Sequence, residues 1–178
     1  MNADSDAQLI QRAGAGDARA FEVLVNRHYG TMFKMAFKWC RNRADAEDVT
    51  QNACIKLARA LKTYEHKAAF TTWLYRLVIN TAIDMKRSEK RHDHAQAEVD
   101  EVQGSDNPEL SLYAREMMQQ IGILPVKEKT ALLLVFGEGM NHAEAAYVMD
   151  VKESTVSWYI HEARKKLEKF ENRERHHG

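Results

Sequence analysis

The sequence predicts an all-α chain of two small helical domains joined by a polar linker. Three observations carry that expectation. Apolar residues recur at three- and four-residue spacing in both halves, no comparable alternating strand pattern appears, and the chain turns polar between Ser88 and Ser111. Gly104-Ser105-Asp106-Asn107-Pro108 lies near the end of that polar stretch. The expected divisions are residues 1–87, a linker over 88–111 whose early part continues the preceding helix, and residues 112–178.

In the first domain Gly14 and Gly16 punctuate the chain, and Asp17 is placed to cap a helix carrying Phe21, Leu24, Val25, His28, Met32, Met35 and Trp39 on one side. Val49, Ala53, Leu57 and Leu61 mark the next helix. The second domain opens near Leu112, where Met117, Ile121 and Leu124 share an apolar face. Pro125 suits the first turn of the following helix, where its missing N–H costs no helical bond. Leu132, Leu133, Val135 and Phe136 are expected to supply core before Gly137 and Gly139 end that helix. Asn141 and Glu144 have capping-box spacing and start a short helix through Met149. A last helix is expected from about Ser154 to Phe170, with Val156, Ile160, Ala163 and Leu167 facing inward. Small Ala145 and Ala146 allow close helix approach, and the short Asp150-Val151 connection lets the last helix project into a major groove. That is a helix-turn-helix pattern.

Charge is balanced, 26 Lys and Arg against 26 Asp and Glu, so the basic signature of a stand-alone nucleic-acid binder is missing. This counts less against a protein that meets DNA while bound to a larger basic partner, which then supplies most phosphate contacts. No apolar run approaches the roughly 20 residues needed to cross a bilayer. With no secretion signal, the expectation is a cytoplasmic protein without membrane insertion. Cys40 and Cys54 read as buried reduced thiols. His92 and His94 lack a suitably spaced cysteine, and no nucleophile motif occurs, so neither a metal, another cofactor nor catalysis is expected.

The motifs follow one another closely. Asp45-Ala46-Glu47-Asp48-Val49-Thr50-Gln51 offers Asp45, Glu47, Asp48 and Gln51 to a basic partner, while Val49, Ala53 and Leu57 fix the helix in its own core. A solvated acidic face is the plainer alternative. Capturing unstacked bases calls for aromatic groups flanked by positive charge, and Tyr64 to Phe70, with Lys62 and Lys67, is a candidate loop. The next helix carries Trp73, Arg76, Asn80, Lys86 and Arg87, of which Asn80 suits a base edge and the basic residues suit phosphates. Leu74, Leu77 and Val78 read as core. In the last helix Ser154, Thr155, Ser157, Trp158, His161, Arg164 and Lys165 are the DNA-facing candidates. Arg164, Lys165, Lys166 and Lys169 suit phosphate or solvent, and Trp158 and Tyr159 either pack inward or touch DNA.

Over nearly the whole chain these motifs resemble the bacterial group IV, extracytoplasmic-function RNA polymerase sigma factors, with region 2 first and region 4 second. The resemblance implies that the Asp45–Gln51 helix docks on the clamp-helix coiled coil of core RNA polymerase. It implies that the Tyr64–Phe70 loop receives a flipped base of the −10 element of promoter DNA, and that the following helix faces the upstream duplex. It further implies −35 recognition by the C-terminal domain and an anti-sigma factor that covers polymerase-binding surfaces. Leu124-Pro125, Gly139, Glu144 and Thr155-Val156 are similar to sigma region 4, and equally to the DNA-binding domain of response regulators. A helix-turn-helix transcription regulator with a helical sensing or dimerisation domain is therefore the alternative reading. Two departures stand out. Leu74 replaces the second of two adjacent tryptophans found in housekeeping sigma factors, so a single wedge at Trp73 should demand a closer promoter match. Ser157-Trp158-Tyr159 stands where polar or basic residues are usual, so the family's promoter preference is not carried over.

Overall fold

Asp17 caps the first long helix in this computed structural model, which describes residues 4–93 and 111–177. Its carboxylate accepts the backbone N–H groups of Arg19 and Ala20, each at 3.0 Å, satisfying two of the donors a helix start leaves open. That helix is α2 (Ala18–Cys40), preceded by α1 (Asp6–Gly14) and followed by α3 (Arg43–Ala60), a 3-10 turn at Leu61–Thr63, and α4 (Phe70–Asp93). Ser5 and Gln8 form a capping box on α1. Asn42 caps α3 by accepting the Asp45 N–H at 3.1 Å. Leu24, Met32, Met35, Leu57, Leu74 and Val78 are fully buried, and each such side chain contributes about 1.5–3 kcal/mol on leaving water. The buried hydroxyls of Thr50 and Thr81 donate to the carbonyls of Ala46 and Leu77 at 2.7 Å, so they add no unmet polar group to this core.

The fold divides between Arg87 and Ser88 into two compact units. Because α4 runs on to Asp93, the early part of the predicted linker is helical. Its remainder, residues 94–110, with His94 and the Gly104–Pro108 segment, lies outside the described residues.

The second unit contains α5 (Leu112–Ile123), α6 (Val126–Leu132), a π-helical turn at Leu133–Gly137, α7 (His142–Met149) and α8 (Glu153–His177). Pro125 stands one residue earlier than expected: it is the cap of α6, and its carbonyl accepts the Lys129 N–H at 2.9 Å. Leu124, Leu132 and Ala163 form a core cluster against which Ile121 and Leu167 pack. The expectation that Phe136 joins the core is overturned. The π turn adds a residue to the helical period, so Leu134 becomes fully buried while Phe136 is 57% exposed. Gly139, with φ of +68°, then takes a conformation that disfavours a side chain. Asn141 and Glu144 form the expected capping box, at 2.9 and 3.0 Å, and Asp150 turns the chain at φ 54°. Ala145 and Ala146 are buried, as close packing of α7 requires.

A partly buried polar link joins α6 to α8. The Glu128 carboxylate on α6, only 8% exposed, accepts from Lys166 Nζ on α8 at 2.7 and 2.8 Å. Lys166, expected to meet phosphate or solvent, is instead committed to this pair, because the buried carboxylate needs a cation. Cys40 and Cys54 form no disulfide and are half-buried instead of buried, and burial pushes the Cys54 thiol upward and so keeps it protonated.

Candidate nucleic-acid interface

On α3 the small and apolar residues Ala46, Val49, Ala53 and Leu57 turn inward with Thr50. The opposite side therefore carries Asp45, Asp48 and Gln51, all exposed. Glu47 is half-buried and receives the Arg43 guanidinium at 2.9 Å, so part of its charge is already answered one turn away. Ile55, 59% exposed, falls on the same outward stripe, outside the Val49, Ala53, Leu57 and Leu61 periodicity of this helix. An acidic face with one exposed isoleucine presents a basic, partly apolar helix surface with both kinds of contact.

Beyond α3 the chain makes an aromatic cluster. Tyr64 lies 5.5 Å from Phe70 and 5.2 Å from Trp73 between ring centroids, Phe70 stacks on Trp73 at 5.8 Å, and His66 sits 4.3 Å from Tyr64. The Tyr64 hydroxyl donates to the Ala68 carbonyl at 2.8 Å, which closes the loop on itself. Phe70, expected to present its ring to DNA, is only 8% exposed: α4 starts at this residue and turns it beneath Tyr64 and Trp73. His28 of α2 meets Phe70 edge-on at 5.1 Å and is held at Nε2 by Asp6 at 2.8 Å, a support that spacing alone did not reveal. Lys62 is exposed, whereas Lys67 pairs with Glu65, whose pKa that contact lowers.

Along α4, at about 3.6 residues per turn, Trp73, Arg76, Asn80 and Arg87 line one stripe. Asn80 and Arg87 are exposed; Trp73 and Arg76 are half-buried. Leu74 and Val78 face the core as expected, and Leu77 is half-buried. Lys86 falls away from that stripe and is half-buried, so it is not grouped with Asn80. Lys56 of α3 pairs with Asp84 at 3.2 Å, one turn beyond Asn80.

In the second unit α8 turns Val156, Ile160 and Ala163 inward. Ser154, Ser157, Trp158, His161 and Lys165 consequently share its outer face, with Thr155 half-buried at the edge. Trp158 is 56% exposed and lies 5.4 Å from Tyr159 between ring centroids, which places Trp158 at the surface and not in the packing. The Ser157 hydroxyl is 2.8 Å from His142 Nδ1 and 3.2 Å from the Glu153 carbonyl, so α7 orients this position through a histidine that the sequence did not single out. Arg164 is placed over the Phe136 ring at 4.9 Å and Lys165 reaches Glu162 at 3.5 Å. Among the described residues no cluster of metal-ligating side chains occurs.

Arg41, which no sequence pattern marked, ends α2 in a left-handed conformation at φ 59°. It is 8% exposed, and its guanidinium nitrogens make no hydrogen bond among the described residues. Burial accordingly lowers its pKa.

A helix-turn-helix unit following an acidic-and-aromatic helical unit defines a transcription-factor class, and comparison with known proteins specifies it. Residues 24–92 match the family described as Sigma-70 region 2 and residues 114–167 match Sigma-70, region 4. The chain is 31% identical over 163 residues to the ECF RNA polymerase sigma factor SigM of Mycobacterium tuberculosis, covering 92% of this chain and 83% of that protein. It is 31% identical to the RNA polymerase sigma-H factor of Pseudomonas aeruginosa, with 95% of each covered. It is 32% identical to the ECF RNA polymerase sigma-E factor of Escherichia coli, with 92% and 93% covered. A solved structure of CnrH in complex with the cytosolic domain of CnrY shares 26% identity and a TM-score of 0.65, covering 95% of this chain and 98% of that one. The sigma factor RpoE of Bartonella quintana, solved with the anti-sigma factor NepR, shares the fold at 17% identity and a TM-score of 0.68, with 85% and 96% covered. The chain belongs to the extracytoplasmic-function group of RNA polymerase sigma factors.

Proposed function

We propose that this chain binds core RNA polymerase through the outer face of α3, captures the −10 element through the Tyr64–Trp73 cluster and the Asn80 stripe, and reads the −35 element through the outer face of α8. The observation that carries this reading is the adjacency, within one helical unit, of an exposed acidic face (Asp45, Asp48, Gln51) and an aromatic cluster flanked by Lys62, Arg76 and Arg87. A protein that only binds duplex DNA has no need of the cluster, because paired bases do not expose the faces that aromatic rings stack on.

The division of labour follows from the side chains. Asn80 offers a donor and an acceptor to a base edge, Arg76 and Arg87 answer phosphates, and Trp73 backs the cluster. On α8 Trp158 offers apolar contact, Ser157 one oriented hydroxyl, and Arg164 and Lys165 charge. The zero net charge suits a subunit whose partner supplies most phosphate attraction. The chain contributes positioning and no chemistry of its own, and its place of action is the cytoplasm, where polymerase works. No helix among the described residues is long and apolar enough to cross a membrane. An anti-sigma factor covers the polymerase-binding face in the inactive state; the family relative CnrH is itself found bound to the cytosolic domain of a second protein.

Binding of the purified chain to promoter duplex, measured with and without core polymerase, tests the reading. Specific binding that requires polymerase supports it. Equal, sequence-specific binding by the chain alone supports the conventional regulator instead.

A further inference from the structure

A groove of about 640 Å³ lies between α1 and the turn that follows α3. Its lining includes Ile10 and Gln11 from α1 and Leu61, Lys62, Tyr64 and His66 from the turn. Ile10 and Leu61 are buried and form an apolar floor; Gln11, Lys62 and His66 are exposed at the rim. The volume falls within the roughly 300–1,000 Å³ range of small-ligand clefts, and a mixed floor and rim of this kind suits a flat, apolar-faced ligand with a polar edge.

We propose that α1 is the second wall of the base-receiving site, and that the Gln11 side-chain amide reads the polar edge of one unstacked base of the melted promoter strand. This rests on the proposed −10 function of the adjacent cluster. Tyr64 belongs to both the groove and the cluster, so a base entering the groove meets its ring while Lys62 stands beside the strand's phosphates. A primary amide carries both a donor and an acceptor in one plane, the pairing that a base edge requires. The wall is held in place before any ligand arrives. Asp6 accepts from Arg27 at 2.6 Å and meets His28 Nε2 at 2.8 Å, and Arg12 holds Asp17 at 2.7 Å, tying both ends of α1 to α2. His28 in turn supports Phe70 beneath Tyr64, so one network fixes the α1 wall and the opposing ring.

The test measures binding of holoenzyme, assembled from core polymerase and either the native chain or Gln11→Ala, to a fluorescent single strand carrying the −10 element. The same strand is then used with one base removed at a time. Gln11→Ala is expected to weaken binding to the intact strand about five- to tenfold, to leave affinity for core polymerase unchanged, and to cause no further loss at one abasic position. A loss of equal size at every abasic position, or no loss on the intact strand, overturns the inference. Asn80→Ala separates the two levels of the argument. If, on a second template that keeps the upstream −10 duplex joined to the same strand, Asn80→Ala weakens binding while Gln11→Ala weakens binding to neither template, α1 is not a wall of the site and the −10 reading stands. If native holoenzyme does not bind the strand, both fall.

Discussion

Replacing Lys166 or its neighbour Lys165 by Met separates a structural lysine from a DNA-facing one. Lys166 Nζ meets both oxygens of Glu128, at 2.7 and 2.8 Å, and that carboxylate is only 8% exposed. Breaking a buried pair by removing one partner costs about 3–5 kcal/mol, because the remaining charge is stranded. Lys166 itself is 44% exposed, so water reaches the site and the expected loss for Lys166→Met is smaller, about 1–3 kcal/mol. Lys165 is 52% exposed and reaches Glu162 only at 3.5 Å, so Lys165→Met should cost less than about 1 kcal/mol. Promoter binding reverses the order. Each phosphate left without its cation makes the slope of log affinity against log salt shallower by about 0.9. Lys165→Met should therefore flatten the salt dependence of holoenzyme binding while Lys166→Met leaves it unchanged. Denaturant unfolding of the second unit, followed by Trp158 fluorescence, and salt titration of holoenzyme on one promoter give the two readings. Native-like stability for Lys166→Met together with a flattened salt slope would refute the assignment of Lys166 to the fold.

Three other outcomes are expected. Asp48→Lys should weaken capture of core polymerase in a pull-down while leaving the circular dichroism melting curve within about 2 °C, because an exposed charge contributes little to stability; unchanged capture removes Asp48 from the interface. Asn80→Ala should impair transcription in a manner that depends on single bases of the −10 element, and Ser157→Ala in a manner that depends on the −35 element, each by about 1–3 kcal/mol of lost discrimination; uniform losses on every mutated promoter count against readout by these residues. Burial raises the Asp6 pKa, but hydrogen bonds and charge from Arg27 and His28 outweigh it and leave the carboxyl below its ordinary 3.8. The stability it lends α1 is thus present above pH 3.8 and lost as pH falls through the lower folded value. In Asp6→Asn that acid-sensitive component of unfolding should vanish, and an unchanged acid transition would show that α1 is held by other means.

Periodicity made most of the helices legible, because a one-sided apolar stripe at helical spacing has few other physical solutions: Leu24, Met32 and Met35 on α2, or Val156, Ile160 and Ala163 on α8, are buried where the pattern puts them. Caps were equally legible at Asp17 and Asn141, where a short polar side chain precedes the apolar run. Phe136 was misread because a π turn shifts the register locally, and nothing in an apolar run of Leu132 to Phe136 announces the extra residue. The site is another matter. Exposure of Asp45, Asp48, Asn80 and Trp158 follows from which helix face is apolar, but the contributions of Gln11, His28 and His142 arise from elements brought together across the fold. Phe70 and Lys166 carry residue types suited to DNA, yet tertiary packing assigns one to the floor of the cluster and the other to Glu128.

Transcription by purified core RNA polymerase supplemented with this chain tests the central claim most directly. Supercoiled templates carrying a panel of promoters, followed by mapping of the transcript 5′ ends, should show discrete starts that appear only when the chain is added and that vanish with single-base changes in the −10 or −35 elements. Core polymerase that ignores the chain, giving the same unspecific transcripts with and without it, would contradict the account.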